Sequence, residues 1–394
     1  MQDDLARELA LAADRFVVRR GPGQRTVIAG YPWFGERHRD AMIALPGLCL
    51  ATGRFEDARK ILRSAARSLD KGDPGSADAP LWFVVAAWKY LQATNDQVFS
   101  RETLLPALRK IVRAHQKGTR YGVRVDEDGL LIAPAPDVAL TWMDGRVGSR
   151  PVTPRSGKAV EVEALWYNAL AILAEMEERL GDPAESKRIA QQARKVQKRF
   201  QELFWNEEAG ALYDVVDGEQ RDPSLRPNQV IALSLPFPLL PKTRAERVLA
   251  AVEAKLATPV GLRSLTPDDP DYRPVFDGGP IEREIAYHQG TVWPWLLGPY
   301  LTALVRLQGA AGRRKARQIL EGWKPRLAES GDGFLPEVFD ADPPHAPRGC
   351  VSRAWNVAEL LRAYVEDVGK PEPVKEKPAK ARTRKKVSSP DTPS

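Results

Sequence analysis

The 394-residue sequence predicts an all-α protein built as an (α/α)6 barrel, six inner helices alternating with six outer ones. Three observations lead there. Apolar spacing marks twelve helical segments. They are of two kinds, one apolar nearly all round and one with a single apolar stripe, and the two kinds strictly alternate along the chain. No repeat of fixed length appears, which argues against a solenoid. The alternative is a less regular helical bundle. In the barrel every inner helix runs the same way, so the segments leading into the inner helices gather at one end.

The segments follow in order. A stripe over 3–16 precedes the buried run AMIALPGLCLA at 41, and a stripe over 55–69 precedes PLWFVVAAWKYL at 80. A stripe over 98–115 is followed by EALWYNALAILA at 163. The clearest stripe, PAESKRIAQQARKVQKRFQELF, repeats Ile189, Ala193, Val196, Phe200 and Leu203 on one face against Arg and Lys on the other, and QVIALSLPF follows at 229. Stripes over 243–256 and 313–328 flank TVWPWLLGPYLTALV at 291, and AWNVAELLRAY at 354 closes the series. Pro46, Pro294 and Pro299 imply kinks or late helix starts. Residues 1–368 read as one domain. Residues 369–394 form a basic tail rich in Pro and Lys, without apolar anchors, and disorder is expected there.

Composition excludes several classes. The formal charge is +7, but the tail from Lys370 carries +5 of it, so the remainder is nearly neutral and nucleic-acid binding is not expected. Cys49 and Cys350 are too few for a disulfide framework. No apolar run approaches the roughly 18 residues of a membrane span, and the acidic, amphipathic start is unlike a secretory signal. The expected setting is soluble and cytoplasmic.

The unusual residues lie in the segments leading into the buried helices: GYPWFGERHRD at 30, DPGSADAP at 73, TWMDGRVGSRPVTPRSGKAVE at 141, RDPSLRPN at 221, IEREIAYHQG at 281 and GFLPEVFDADPPHAPRGC at 333. They hold Trp33, Arg39, Asp40, Asp78, Trp142, Asp144, Glu337 and Arg348, with His38, His288 and His345. Aromatic rings beside carboxylates and Arg suit a sugar, whose C–H face stacks on Trp while its hydroxyls bond to charged groups. A metal site is not expected, because the His residues stand singly and the two Cys form no ligand motif. No glycine-rich phosphate loop, GxSxG elbow or other cofactor motif is present.

Paired carboxylates remain. Glycosidic hydrolysis needs an acid to protonate the leaving oxygen and a carboxylate to act on the far side of the sugar. Asp144 and Glu337 form the best pair, although an Asp before Gly is also a common turn residue. Trp142 and Met143 are expected to desolvate Asp144 and raise its pKa, keeping it protonated.

The phrases AGYPWF, RDxxIALPGL, DAPLWF, TWMDxRVGxxPVTPRxGKxVExxALWYNAL, RPNQxxALSLPF, GLRSLxPDDPxY, AYHQGTVWPWLxGP and DPPHxPRGCxxxAWxVAE span about residues 5–366. They resemble the C-terminal catalytic domain of glycogen debranching enzymes, the amylo-alpha-1,6-glucosidases. The resemblance implies an (α/α)6 barrel that hydrolyses the single α-1,6-linked glucose left at a trimmed branch of glycogen or a limit dextrin, inverting the anomeric carbon. It implies Asp144 as general acid, Glu337 as general base, and Arg39 with Asp40 as the clamp on the terminal glucose. Trp33, Asp78, Trp142, His288, Gln289, Trp293 and Arg348 join them as substrate-binding candidates. No cofactor is implied.

The sequence departs from the family in two ways. Family members usually show Asp-Trp-Gly-Arg-Asp-Thr where this chain has Glu36, Arg37, His38, Arg39, Asp40 and Ala41. Many bacterial and archaeal relatives also carry an N-terminal β-rich domain, whereas this chain begins almost at the barrel: either a separate polypeptide supplies that part or this protein lacks it, and a transferase that prepares the substrate is the other candidate partner. The changed pocket leaves a glucan-binding protein without turnover, or another α-glucosidase of this barrel, as alternatives.

Overall fold

The computed structural model describes residues 4–69, 76–330 and 333–369. The basic tail from Lys370 lies outside the described residues.

The protein is mostly helical, and the helices fall where the spacing places them. Buried helices comprise His38–Leu45 with its π-helical extension Pro46–Leu50, Ala79–Thr94, Val160–Leu180, Asn228–Ser234, the first half of Leu297–Glu321, and Ala354–Ala363. Among the described residues, no helix is long and apolar enough to cross a membrane. One-faced helices comprise Asp4–Asp14, Phe55–Ser68, Leu105–Lys117, Pro183–Leu203 and Lys242–Lys255. Pro183–Leu203 shows the local logic: Asp182 caps it by accepting from the Ala184 N–H at 2.8 Å, and Pro183 occupies the first turn.

The prolines act as expected. Pro46 sits in the π-helical turn, and Pro294 opens a 3₁₀ turn that delays the next helix to Leu297. A break at Gly309, where φ is +60°, separates the buried half of Leu297–Glu321 from a half that buries only Gly312, Ala316 and Leu320.

Each buried helix packs against the next in sequence, and Ala354–Ala363 packs back on His38–Leu45, so the six close a ring. The one-faced helices lie against them: Pro183–Leu203 on Val160–Leu180, Phe55–Ser68 on Ala79–Thr94, and Asp4–Asp14 on Ala354–Ala363.

The sequence reading was all-helical; the structure adds short antiparallel strands. Val17–Gly21, Gln24–Tyr31, Phe34–Glu36 and Ser352–Arg353 make one small sheet. Ala257–Thr258, Gly261–Arg263, Val292–Trp293, Val338–Phe339 and Pro347–Arg348 make another. Several of these strands belong to the segments leading into buried helices. Buried backbone N–H and C=O groups there need partners, and pairing segment to segment supplies them while fixing the loops rigidly.

Candidate active site

Asp144 follows Thr141, Trp142 and Met143, which are all buried and held from below by one polar network. Trp142 Nε1 donates to Asn228 Oδ1 at 2.7 Å, and Asn228 Nδ2 donates to Asp214 Oδ1 at 2.7 Å. Arg155 donates to Asp214 Oδ2 at 2.8 Å, to Glu161 and, at 3.1 Å, to the Thr141 hydroxyl. A buried Arg between two carboxylates with its donors occupied is costly to break, and through Thr141 it anchors the strip that carries Asp144.

Above the strip, two guanidiniums and the His288 imidazole, whose pKa burial lowers, face the Asp144 carboxylate. Arg39 donates to its Oδ2 at 3.3 Å, Arg37 stands 4.0 Å from the same oxygen, and His288 Nε2 lies 3.9 Å from Oδ1, beyond hydrogen-bonding distance. Arg39 is anchored in turn by Asp78 at 2.8 Å and the Ser76 hydroxyl at 2.9 Å.

Burial acts upward on the Asp144 carboxyl, but His288, Arg39 and Arg37 act downward and prevail, pushing it down to about 2. The sequence expectation of a raised pKa is therefore corrected. Trp142 turns into the core instead of covering the carboxylate, whose side chain stays 35% exposed.

Glu337 is placed differently. Its side chain is buried, and both oxygens are engaged: the Tyr287 hydroxyl donates to Oε1 at 2.5 Å and the Cys350 N–H donates to Oε2 at 2.9 Å. Burial and the facing carboxylate raise the Tyr287 pKa well above its ordinary value, so Tyr287 keeps its proton as donor. Arg353 lies between Asp40, at 2.8 Å, and Glu337, at 3.5 Å, sandwiched by the Phe34 and Trp355 rings. The approach is close: a Cβ on Gly349, whose φ is +69°, would sit 2.6 Å from Glu337 Oε2.

Neighbouring residues thus span the two carboxylates. Tyr287 holds Glu337 and His288 faces Asp144, while from the first buried helix Arg39 reaches Asp144 and Asp40 pairs with Arg353, the neighbour of Glu337. One partly exposed carboxylate and one buried carboxylate fixed by donors form an arrangement able to act on the two sides of a glycosidic bond.

A family model described as amylo-alpha-1,6-glucosidase matches residues 11–362. The chain belongs to the amylo-alpha-1,6-glucosidase family. It is similar to the glycogen debranching enzyme of Saccharomyces cerevisiae, with 26% identity over 468 aligned positions covering 88% of this chain. The chain spans 30% of that relative's length. With 352 residues inside the family match, both carboxylates and every substrate-binding candidate named from the sequence lie within it.

The structure brings only some of those candidates to an accessible surface. Trp33 is 59% exposed on the turn between two strands and is free to stack on a ligand. Arg39 touches Asp144 directly. Trp142 and Trp293 are buried, 2% and 1% exposed. They pack edge-on to each other, and His288 stacks on Trp293 at 5.0 Å. Asp40 and Asp78 are buried as partners of Arg353 and Arg39. Gln289 accepts from Arg226 at 2.6 Å within the framework. Arg348 pairs with Asp340 at 2.8 Å, on the strand that runs beside Val338.

Sequence reasoning missed Tyr287, Arg353, Arg155 and Asp214. Tyr287 stands inside AYHQG and Arg353 immediately before the last buried run, but neither carries a spacing that reveals its partner.

Proposed function

We propose that residues 1–368 form an (α/α)6 barrel that acts as an inverting α-1,6-glucosidase on the single glucose at trimmed branch points of a branched α-glucan. The closed ring of six buried helices supports the barrel. The observation that carries the activity is the pairing of Asp144 and Glu337 across the adjacent residues Tyr287 and His288, within the family match.

Asp144 gives its proton to the glycosidic oxygen as the bond from the sugar C1 breaks, and the linear chain leaves with a free hydroxyl. Glu337 takes a proton from a water whose oxygen bonds to C1 from the opposite face, so the glucose is released inverted. Asp144 ends ionised, Glu337 ends protonated, and solvent restores both. Because the free protein holds Asp144 ionised, the bound glucan must displace water from its exposed side and draw Arg39 onto sugar hydroxyls, raising its pKa in the complex.

Proton NMR of glucose released from a branched limit dextrin tests this reading: β-glucose appears first, and linear maltooligosaccharides give none. Release of α-glucose first, or of glucose from linear chains at equal rate, overturns it.

One observation favours a second reading. Arg37, where the family usually has Trp, adds a cation 4.0 Å from Asp144 and favours a carboxylate that binds without donating a proton. A glucan-binding protein would bind the same dextrin and release nothing.

A further inference from the structure

A cavity of about 340 Å³ is lined in part by Arg37, whose guanidinium also stands 4.0 Å from Asp144 Oδ2. Its walls are the His38–Leu45 helix, the end of the Phe55–Ser68 helix and the Val17–Gly21/Gln24–Tyr31 hairpin. The volume falls in the range of about 300–1,000 Å³ typical of ligand sites. Arg37 belongs to both places: it lines the cavity and reaches toward Asp144 Oδ2.

The chemistry selects a neutral, hydroxyl-rich ligand. The guanidiniums in the wall are matched by carboxylates, Arg25 by Asp57 at 3.0 Å and Arg20 by Glu36 at 3.3 Å, so no unopposed positive cluster awaits an anion. Ser64 and Thr26 offer hydroxyls, and Met42 and Ile61 give an apolar floor. His38 Nε2 lies buried in this wall without a hydrogen-bond partner, which a small ring rotation can deliver to a bound hydroxyl. Polar donors over an apolar floor match the two faces of a glucosyl unit.

We infer that this cavity is the subsite for the leaving α-glucan chain, reached from the scissile bond past Arg37. The inference rests on the glucosidase reading above, because the side of Asp144 is the leaving-group side only if Asp144 is the acid.

The test compares wild type with Ser64→Trp, which fills the cavity, and with Arg20→Ala, a change at its exposed rim that makes little demand on folding. Two readouts are taken. One is the ratio of kcat/KM on branched limit dextrin to kcat/KM on α-glucosyl fluoride, whose leaving group is a single fluoride. The other is binding of maltotetraose by calorimetry. The subsite predicts that Ser64→Trp lowers the ratio by about tenfold or more, that maltotetraose binding weakens with it, and that Arg20→Ala moves both in the same direction. A ratio and an affinity within about twofold of wild type in both variants overturn the inference, and if Ser64→Trp does not fold, Arg20→Ala decides alone. Should wild type hydrolyse neither substrate, the glucosidase reading fails and maltotetraose binding by itself decides the subsite. Binding of inorganic phosphate that Arg20→Ala abolishes, with none of maltotetraose, makes the cavity an anion site and also overturns it.

Discussion

Asp144 shows how far a single residue can be read from a chain. Its motif is legible, but its protonation is not, because the groups that set it are Arg39, Arg37 and His288, more than a hundred residues away in either direction. Their summed pull outweighs the desolvation that the flanking Trp142 and Met143 suggest. Asp144→Asn keeps shape and cannot donate a proton, so kcat on limit dextrin should fall by about 10²–10⁴ with glucan binding retained. Glu337→Gln should lose a similar factor by removing the base. Calorimetry beside steady-state rates checks both. The pH profile follows from the same charges. The form that reacts is protonated Asp144, and the free protein holds its pKa at about 2, so kcat/KM should decline as pH rises from 5 to 8. Arg37→Gln removes a downward influence, raises that pKa and should move the declining limb to higher pH. A limb that stays put in this variant would show that Arg37 does not act on Asp144.

Among the elements, buried and one-faced helices were legible because burial leaves a direct imprint on apolar spacing. The short strands were not, since two-residue ladders carry no period; they exist because buried loops must pair their backbone. The polar network beneath Asp144 was equally hidden. Arg155, Asp214 and Glu161 come from separate segments, and only the fold brings them together. Arg155→Met would leave two buried carboxylates without their cation, and a loss of about 3–5 kcal/mol in unfolding free energy is expected by denaturant titration. Glu163 in the Val160–Leu180 helix behaves oppositely. It is fully buried, accepts from the Leu131 N–H at 2.9 Å through one oxygen, and its other oxygen has no partner. Burial raises its pKa well above the usual value. A raised folded pKa gives stability below the unfolded value that is lost as pH rises through the folded one. Glu163→Gln, which mimics the protonated form, should therefore raise the melting temperature at pH 8 and leave it unchanged near pH 4.

For the molecule as a whole, the order of helices is legible in the sequence, and the ring that closes from Ala354–Ala363 onto His38–Leu45 accords with that order. The yeast relative is more than three times the length this chain covers. The site here is narrow in what it can do. Glu337 is enclosed by Tyr287, Cys350 and Arg353, and in the glucosidase proposed above the sugar between it and Asp144 enters as a chain end. A branch several glucoses long would have to thread its remaining units through the framework around Arg353 and Trp355, which is packed solid. The protein alone should release glucose from dextrins whose branches are already single residues. From glycogen with untrimmed branches it should release almost none until a glucan transferase activity is added, after which the rate should rise to that of the trimmed substrate. Glucose measured with and without the added transferase checks this; equal rates on both substrates would mean that the pocket accepts long branches and that the enclosure of Glu337 opens when glucan binds.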